Sequence, residues 1–282
     1  MSNGYDKNKK YYVLKYGIGD TYLVSTLLPY IAGAEKNIVL LIEKNNQRFI
    51  PAMFDEHVEV KQAVNLPYSM IAEFGKRATG QPVVLHSDWI SGLPLSNLLG
   101  YKNFTLIDGY KLMLGLELGL VPVTPKNDAI LSEEFVSQIA GYKNPILLCP
   151  QANSIATVEP EFWLELAKFL NNRSFTPLFM NDSPSSEFAS ISFPLSESIP
   201  LCNQIKGIIS LRSGFCDLIS NCSTAKIILY PKIKWYSGSL IQGSGLNAMG
   251  LSKGNLLEVE VSDFVNNSNL FKQIEGFLNE QV

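Results

Sequence analysis

The feature that most restricts this chain is an apolar strand that runs through a tight turn straight into a helix, a unit that occurs in both halves. In the first half Tyr11-Tyr12-Val13-Leu14-Lys15-Tyr16 reads as a strand. Gly17-Ile18-Gly19-Asp20 follows as a turn, then an amphipathic stretch from Thr21 to Ala34. In the second half Pro145 to Pro150 reads as a buried strand, Gln151 to Val158 as a loop, and Glu159 to Asn171 as a helix. A strand followed by a helix returns to its sheet through a crossover, and crossovers produce parallel strands covered on both faces. The expected class is therefore α/β, with two Rossmann-like parallel sheets.

Further elements fit the same rhythm. Asn37 to Glu43, Val58 to Lys61 and Pro82 to His86 are extended candidates, separated by helix-compatible segments such as Pro67 to Arg77. Asp88 to Leu120 turns helical and rich in Leu, Gly and Tyr. Two prolines in Val121 to Asp128 favour an extended connector, which places a boundary at 125/126. In the second half, strands are expected at Phe175 to Met180, Gly207 to Leu211, Ala225 to Tyr230 and Leu256 to Val261. Helices are expected at Ser196 to Ile205 and Gly214 to Ser220. A Gly- and Ser-rich loop covers Tyr236 to Gly250, and an amphipathic helix covers Ser262 to Leu278.

Composition removes several classes of function. With 23 basic and 26 acidic side chains the chain offers no general attraction to a phosphate backbone, so nucleic acid is not an expected partner. The longest nearly apolar run, Tyr110 to Val123, contains Lys111 and Glu117 and is shorter than the ~20 residues a bilayer demands. No transmembrane segment is expected, while peripheral membrane association stays open. The polar N-terminus lacks a signal-peptide pattern, which points to the cytoplasm. Cys149, Cys202, Cys216 and Cys222 show no C-x-x-C spacing and read as packed, reduced thiols, with no metal site.

Ligands of doubly wound sheets sit at the carboxyl ends of the strands, which directs attention to three loops. Gly17 and Gly19 permit a tight turn and close backbone approach, and Asp20 stands at the helix entrance. Two readings of Asp20 are open: a helix cap, or a carboxylate facing a ligand. Tyr22 occupies the position where a dinucleotide fingerprint needs its third glycine, which argues against NAD. Arg212, Ser213 and Gly214 follow a strand and open a helix, where main-chain amides and a guanidinium suit a diphosphate. The alternative is that Ser213 caps the helix while Arg212 pairs with a carboxylate such as Asp217. The third loop offers Gln151, Asn153 and Ser154 as donors to sugar or phosphate oxygens, or forms an ordinary turn before Glu159. Gly250-Leu251-Ser252-Lys253-Gly254 matches G-x-S-x-G formally but lacks the strand before it and the helix after it. His57 and His86 both lie upstream of it, and no P-loop occurs.

Taken in order, these segments resemble the GT-B glycosyltransferases of the ADP-heptose:lipopolysaccharide heptosyltransferase kind. The resemblance rests on Tyr16 to Asp20 followed by Leu27-Leu28-Pro29, on Ile146 to Pro150 with Phe162-Trp163, and on Ser213-Gly214 followed by Leu218. It implies an N-terminal Rossmann-like acceptor-side domain over 1–125 and a nucleotide-sugar-binding Rossmann-like domain over 126–261, their sheets facing a cleft. It also implies a C-terminal helix over 262–282 crossing back to the first domain. Asp20 would then be the base that deprotonates the acceptor hydroxyl, and the Arg212-Ser213-Gly214 turn would meet the donor diphosphate, with Gln151, Asn153, Ser154 and Asp217 toward the donor or its sugar. The implied reaction is inverting transfer, without a metal or other cofactor, from a nucleoside-diphosphate sugar to a glycan or lipid-linked acceptor in bacterial surface-polysaccharide synthesis. The family's turn reads Asp-Ser-Gly-x-x-His, whereas Arg212 and Asp217 stand at its Asp and His positions, so heptose itself is not implied. A catalytically silent subunit and a nucleotide-sugar epimerase are the competing functions on the same fold.

Overall fold

The computed structural model describes residues 6, 8–14, 17–32, 38–43, 53–54, 58–63, 82–85, 95–125, 129–153, 155, 157–252, 254–265 and 267–280. They divide into two compact units, Met1–Asn127 with Lys234–Gly250, and Asp128–Ile233 with Leu251–Val282.

The first unit is built on β1 (Lys10–Leu14), β2 (Ile38–Glu43), β3 (Val58–Ala63) and β4 (Pro82–Val84), with α1 (Ile18–Ala32) following β1. The strands pair in the order β3-β2-β1-β4, all parallel, with Tyr12 opposite both Leu40 and Val83. The buried run Tyr11 to Leu14 shows why β1 is central: apolar side chains leave both sheet faces. Helix α1 starts three residues before the expected Thr21, so Gly19 and Asp20 lie inside its first turn. An acidic residue there is favoured by the helix dipole. The expected helix over Pro67 to Arg77, as well as His57 and His86, lies outside the described residues.

Two short 3-10 turns, Leu95–Leu98 and Tyr101–Asn103, lead into α2 (Leu106–Leu114). Thr105 and Asp108 form a capping box, the Thr105 amide donating to Asp108 Oδ2 at 3.0 Å and its hydroxyl at 2.8 Å. Gly115 ends the helix at φ 74°. The connector is extended, as its prolines require. Val123 N donates to Thr26 O at 2.9 Å and Tyr30 donates from its hydroxyl to Val121 O at 2.6 Å, which ties the connector to α1.

The second unit begins with α3 (Glu133–Ala140), β5 (Pro145–Cys149), α4 (Pro160–Asn171), β6 (Thr176–Met180) and β7 (Ser190–Ile191). It continues with α5 (Ser198–Cys202), β8 (Gly207–Leu211), α6 (Gly214–Leu218) and β9 (Ala225–Pro231). The chain then supplies β10 (Lys234–Trp235), β11 (Gly238–Ser239) and α7 (Leu240–Ser244) to the first unit, and returns as β12 (Leu256–Val261) and α8 (Ser268–Glu280). The six-stranded sheet runs β12-β9-β8-β5-β6-β7, all parallel.

Alternation along each strand assigns the layers. Ile146, Leu148, Ile209 and Leu211 face one core with Phe162, Trp163 and Leu166 of α4 and Phe271, Ile274 and Leu278 of α8. Leu147, Cys149 and Ile208 face the other, with Phe135 and Ile139 of α3, Leu201 of α5 and Phe215 of α6. Gly207 leaves room for Leu278, because a Cβ there would stand 2.6 Å from the leucine Cδ2. All four cysteines are buried and free.

Two expectations change here. The buried side chains of α8 belong to the second unit's core, and Lys234–Gly250 is the segment that joins the first unit. That segment, read from its Gly and Ser content as a loop, contains the β10–β11 hairpin and α7. Ser237 N donates to Leu99 O at 3.1 Å, and Gly238 meets Gly100 backbone to backbone.

Gly100 is essential to this junction for two reasons: its φ is 80°, and a Cβ would lie 2.6 Å from Gly238 Cα. Gly100→Ala is expected to lower stability by about 1–3 kcal/mol in denaturant titration. Gly276→Ala, in α8 with open space at its Cβ, is expected to raise it by about 0.5–1 kcal/mol.

Candidate functional site

In the second unit, β5 and β8 are parallel neighbours, with Cys149 opposite Ser210. Their outgoing loops, Gln151 to Val158 and Arg212-Ser213-Gly214, therefore leave from the same carboxyl edge of the sheet, where doubly wound proteins bind ligands. The side chains of Gln151 and Asn153 are exposed, and Ser154 lies outside the described residues. Glu159 is the N-cap residue of α4 and Pro160 its first residue, so the helix start sits beyond the loop's polar part.

The turn after β8 is fixed from within. Arg212 N donates to Leu229 O at 3.0 Å, which extends the ladder with β9. The guanidinium is 6% exposed and meets the Asp217 carboxylate in a two-point contact, Nη1 to Oδ2 at 3.0 Å and Nη2 to Oδ1 at 2.7 Å. Nη1 also donates to Ser213 O. Burial alone would favour loss of the guanidinium proton, but the adjacent Asp217 charge reverses that and holds Arg212 more firmly protonated than in water. Of the two readings open for Arg212, the structure shows the pairing with Asp217. Ser213 occupies the N-cap position of α6 with extended backbone, but its side chain makes no capping bond. Cys216, under the turn, donates to Ser210 Oγ at 3.3 Å, and burial pushes its thiol up.

In the first unit, Gly17 forms the turn between β1 and α1, its carbonyl accepting from Thr21 N at 3.2 Å. Gly19 is buried within α1. Asp20 is the third residue of that helix and is not its cap. Its Oδ1 instead accepts from the Tyr110 hydroxyl at 2.5 Å. Tyr110 is fully buried on α2. The capping box at Thr105 and Asp108, and Lys111 Nζ donating to Leu118 O at 2.7 Å, fix the helix that carries it. Tyr110 went unseen in the sequence because its partner is 90 residues away; the Thr-x-x-Asp signature of α2 was the available signal. The structure thus sets Asp20 against Tyr110 in one unit, and Arg212, Ser213, Gly214 and Asp217 on one sheet edge with Gln151 and Asn153 in the other.

No model of a known protein family matches the chain, and no curated protein sequence does. Solved structures do match over almost its whole length. The glycosyl transferase family 9 from Veillonella parvula DSM 2008 superposes with TM-score 0.57 at 14% identity, covering 98% of this chain and 99% of that one. E. coli ADP-heptose lps heptosyltransferase II gives 0.62 at 12% identity, covering 96% and 99%. E. coli heptosyltransferase WaaC with ADP gives 0.56 at 10% identity, covering 97% and 100%. The chain has the GT-B fold. Fold alone does not transfer chemistry, which has to be argued from the sites.

Removing one member of the buried pair leaves the other charge uncompensated. Asp217→Ala is expected to cost about 3–5 kcal/mol in chemical denaturation, whereas Arg212→Met combined with Asp217→Leu is expected to restore most of that loss.

Proposed function

We propose that the chain is an inverting, metal-independent glycosyltransferase that moves a sugar from a nucleoside-diphosphate donor to a glycan or lipid-linked acceptor in bacterial surface-polysaccharide synthesis. The supporting observation is the match to glycosyltransferase structures over 96% or more of the chain, with Asp20 placed where β1 passes into α1. Asp20 takes the proton of the acceptor hydroxyl, with Tyr110 holding one carboxylate oxygen. Ser213 and Gly214 lie along the donor diphosphate through their main-chain amides, while Gln151, Asn153 and Ser154 reach the donor's remaining oxygens. Arg212 and Asp217 act on that turn by holding its shape, since each already engages the other. Gly17 gives the acceptor close access to the backbone beside Asp20.

The same ion pair favours a second reading, a catalytically silent GT-B subunit that binds a partner transferase or a glycan. A guanidinium neutralised by Asp217 presents no free charge to a diphosphate.

A thermal-shift screen against ADP, UDP, GDP and their hexose and heptose conjugates identifies the donor, and turnover with that donor separates the two. A donor at about 100 times its Kd is expected to stabilise the protein by about 2.7 kcal/mol. With the donor so identified, Asp20→Asn is expected to lower kcat by about 10²–10⁴ while leaving donor affinity unchanged. EDTA is expected to leave turnover intact. Transfer by Asp20→Asn at the wild-type rate removes Asp20 from the mechanism, and donor binding without turnover across an acceptor panel selects the silent subunit.

A further inference from the structure

The four buried cysteines fall into two pairs with different surroundings. Cys149, at the end of β5, and Cys216, on α6, each hydrogen-bond Ser210, so a serine hydroxyl is the partner both share. Cys202, the last residue of α5, and Cys222, in the connection from α6 to β9, hydrogen-bond each other through their thiols. The segments that carry this second pair are pinned together. Thr224 donates from its hydroxyl to Cys202 O, and Ser223 Oγ donates to Asn203 Oδ1 at 3.1 Å. Cys222 Sγ reaches Ile199 O, one turn back along α5, at 3.9 Å. Lys226 Nζ donates to Cys222 O and, at 3.2 Å, to Thr224 O, which fixes the backbone that carries Cys222. The two segments lead into β8 and β9, parallel neighbours, so the pair lies at the amino edge of the sheet, opposite the Ser213-Gly214 turn.

The two thiols are chemically unequal. The hydrogen bond from Cys202 holds the Cys222 thiol below its ordinary range; burial works against this, and the Lys226 charge adds to it. Burial pushes the Cys202 thiol up. Cys222 is 6% exposed and Cys202 is fully enclosed, so a small reagent from solvent reaches Cys222 first. An accessible sulfur inclined to ionise, with a second thiol directly behind it, is the arrangement of an attacking and a resolving cysteine.

We propose that Cys202 and Cys222 are an oxidative modification site, a dithiol that a small peroxide closes to a disulfide and a thiol reductant reopens. Cys222 loses its proton to water and attacks one peroxide oxygen. The O–O bond breaks, the departing hydroxide takes up a proton, and Cys222 is left as a sulfenic acid. The Cys202 sulfur then attacks that of Cys222, the S–O bond breaks, and the leaving hydroxide carries off the Cys202 proton as water. Two thiols and one peroxide thus give one disulfide and two waters, the peroxide gaining the two electrons that the sulfurs lose. The new bond closes residues 202–222 into a ring that contains β8, α6 and the turn carrying Ser213 and Gly214. The reaction needs no transfer activity, so it stands apart from the glycosyltransferase reading.

The full chain is treated with a modest excess of hydrogen peroxide, its remaining thiols are blocked with iodoacetamide in urea, and its peptides are mapped with and without dithiothreitol. Cys202 and Cys222 are expected to disappear together into a linked peptide about 2 Da lighter than its two parts. Cys149 and Cys216 are expected to stay alkylated, and dithiothreitol is expected to restore the other two. In Cys202→Ala, dimedone is expected to label Cys222 as a sulfenic acid, and Cys222→Ala is expected to consume peroxide at least about tenfold more slowly. Melting temperatures of the reduced variants are recorded, so that loss of fold is not read as loss of reactivity, and the wild-type map decides without them. All four thiols left intact overturns the proposal, as does a Cys149–Cys216 link or oxidation of Cys222 with no link to Cys202. A link that forms as fast in the urea-unfolded chain, or undiminished reactivity of a folded Cys222→Ala, overturns it too.

Discussion

Parallel pairing of β5, β8 and β9 is the constraint from which the second unit follows. A parallel strand cannot be reached by a tight hairpin, so each strand must be followed by a crossover, and the crossovers cover both faces. Strands covered twice must be largely apolar, as Pro145 to Cys149 is throughout and Ala225 to Pro231 is apart from Lys226, whose ammonium donates to Cys222 O and Thr224 O; every residue of both strands is buried. The same geometry leaves all strands pointing one way, which brings the loops after β5 and β8 out at a single edge. The candidate donor loops are together because the strands beneath them are parallel neighbours.

At that edge the most consequential interaction is the one between Arg212 and Asp217. Two charges taken almost completely out of water are tolerated because the guanidinium fork matches the carboxylate at both nitrogens and adds the Ser213 carbonyl. The pair links the first residue after β8 to the fourth residue of α6, so it spans the whole turn. What it fixes is the position of Ser213 and Gly214. Arg212 and Asp217 thus form an internal clamp across the turn.

Much of the fold could be read from the sequence because buried parallel strands announce themselves as continuous apolar runs. β5, β8 and β9 fall within a residue of their expected limits for that reason, and β12, a mostly half-buried edge strand carrying Glu258 and Glu260, matches its limits without being such a run. Boundaries that depend on tertiary contacts were harder. Gly17 and Gly19 read as a tight turn before a helix from Thr21, yet Gly19 is helical and buried within α1. The β10–β11 hairpin escaped notice because Tyr236 carries a positive φ that no local preference signals. At the candidate site, the residue types of the β8 turn were legible, and so was the choice between phosphate and Asp217 as partner for Arg212. Which partner prevails depends on burial, which a spacing of five residues does not reveal. Tyr110 meets Asp20 across 90 residues, and the Thr105-x-x-Asp108 capping box marks its helix but not its partner.

The route of the chain through its two units has a bearing on how the protein is made. The first unit takes Lys234–Gly250 from a point beyond nearly all of the second unit's strands. On a ribosome, Leu99 and Gly100 emerge long before Ser237 and Gly238, the residues they must meet. The amino-terminal sheet can assemble early, but its outer junction stays open until most of the second unit has been synthesised. Vectorial synthesis thus makes the last step in closing the first unit wait on the growth of its neighbour, and couples the maturation of two otherwise separate cores.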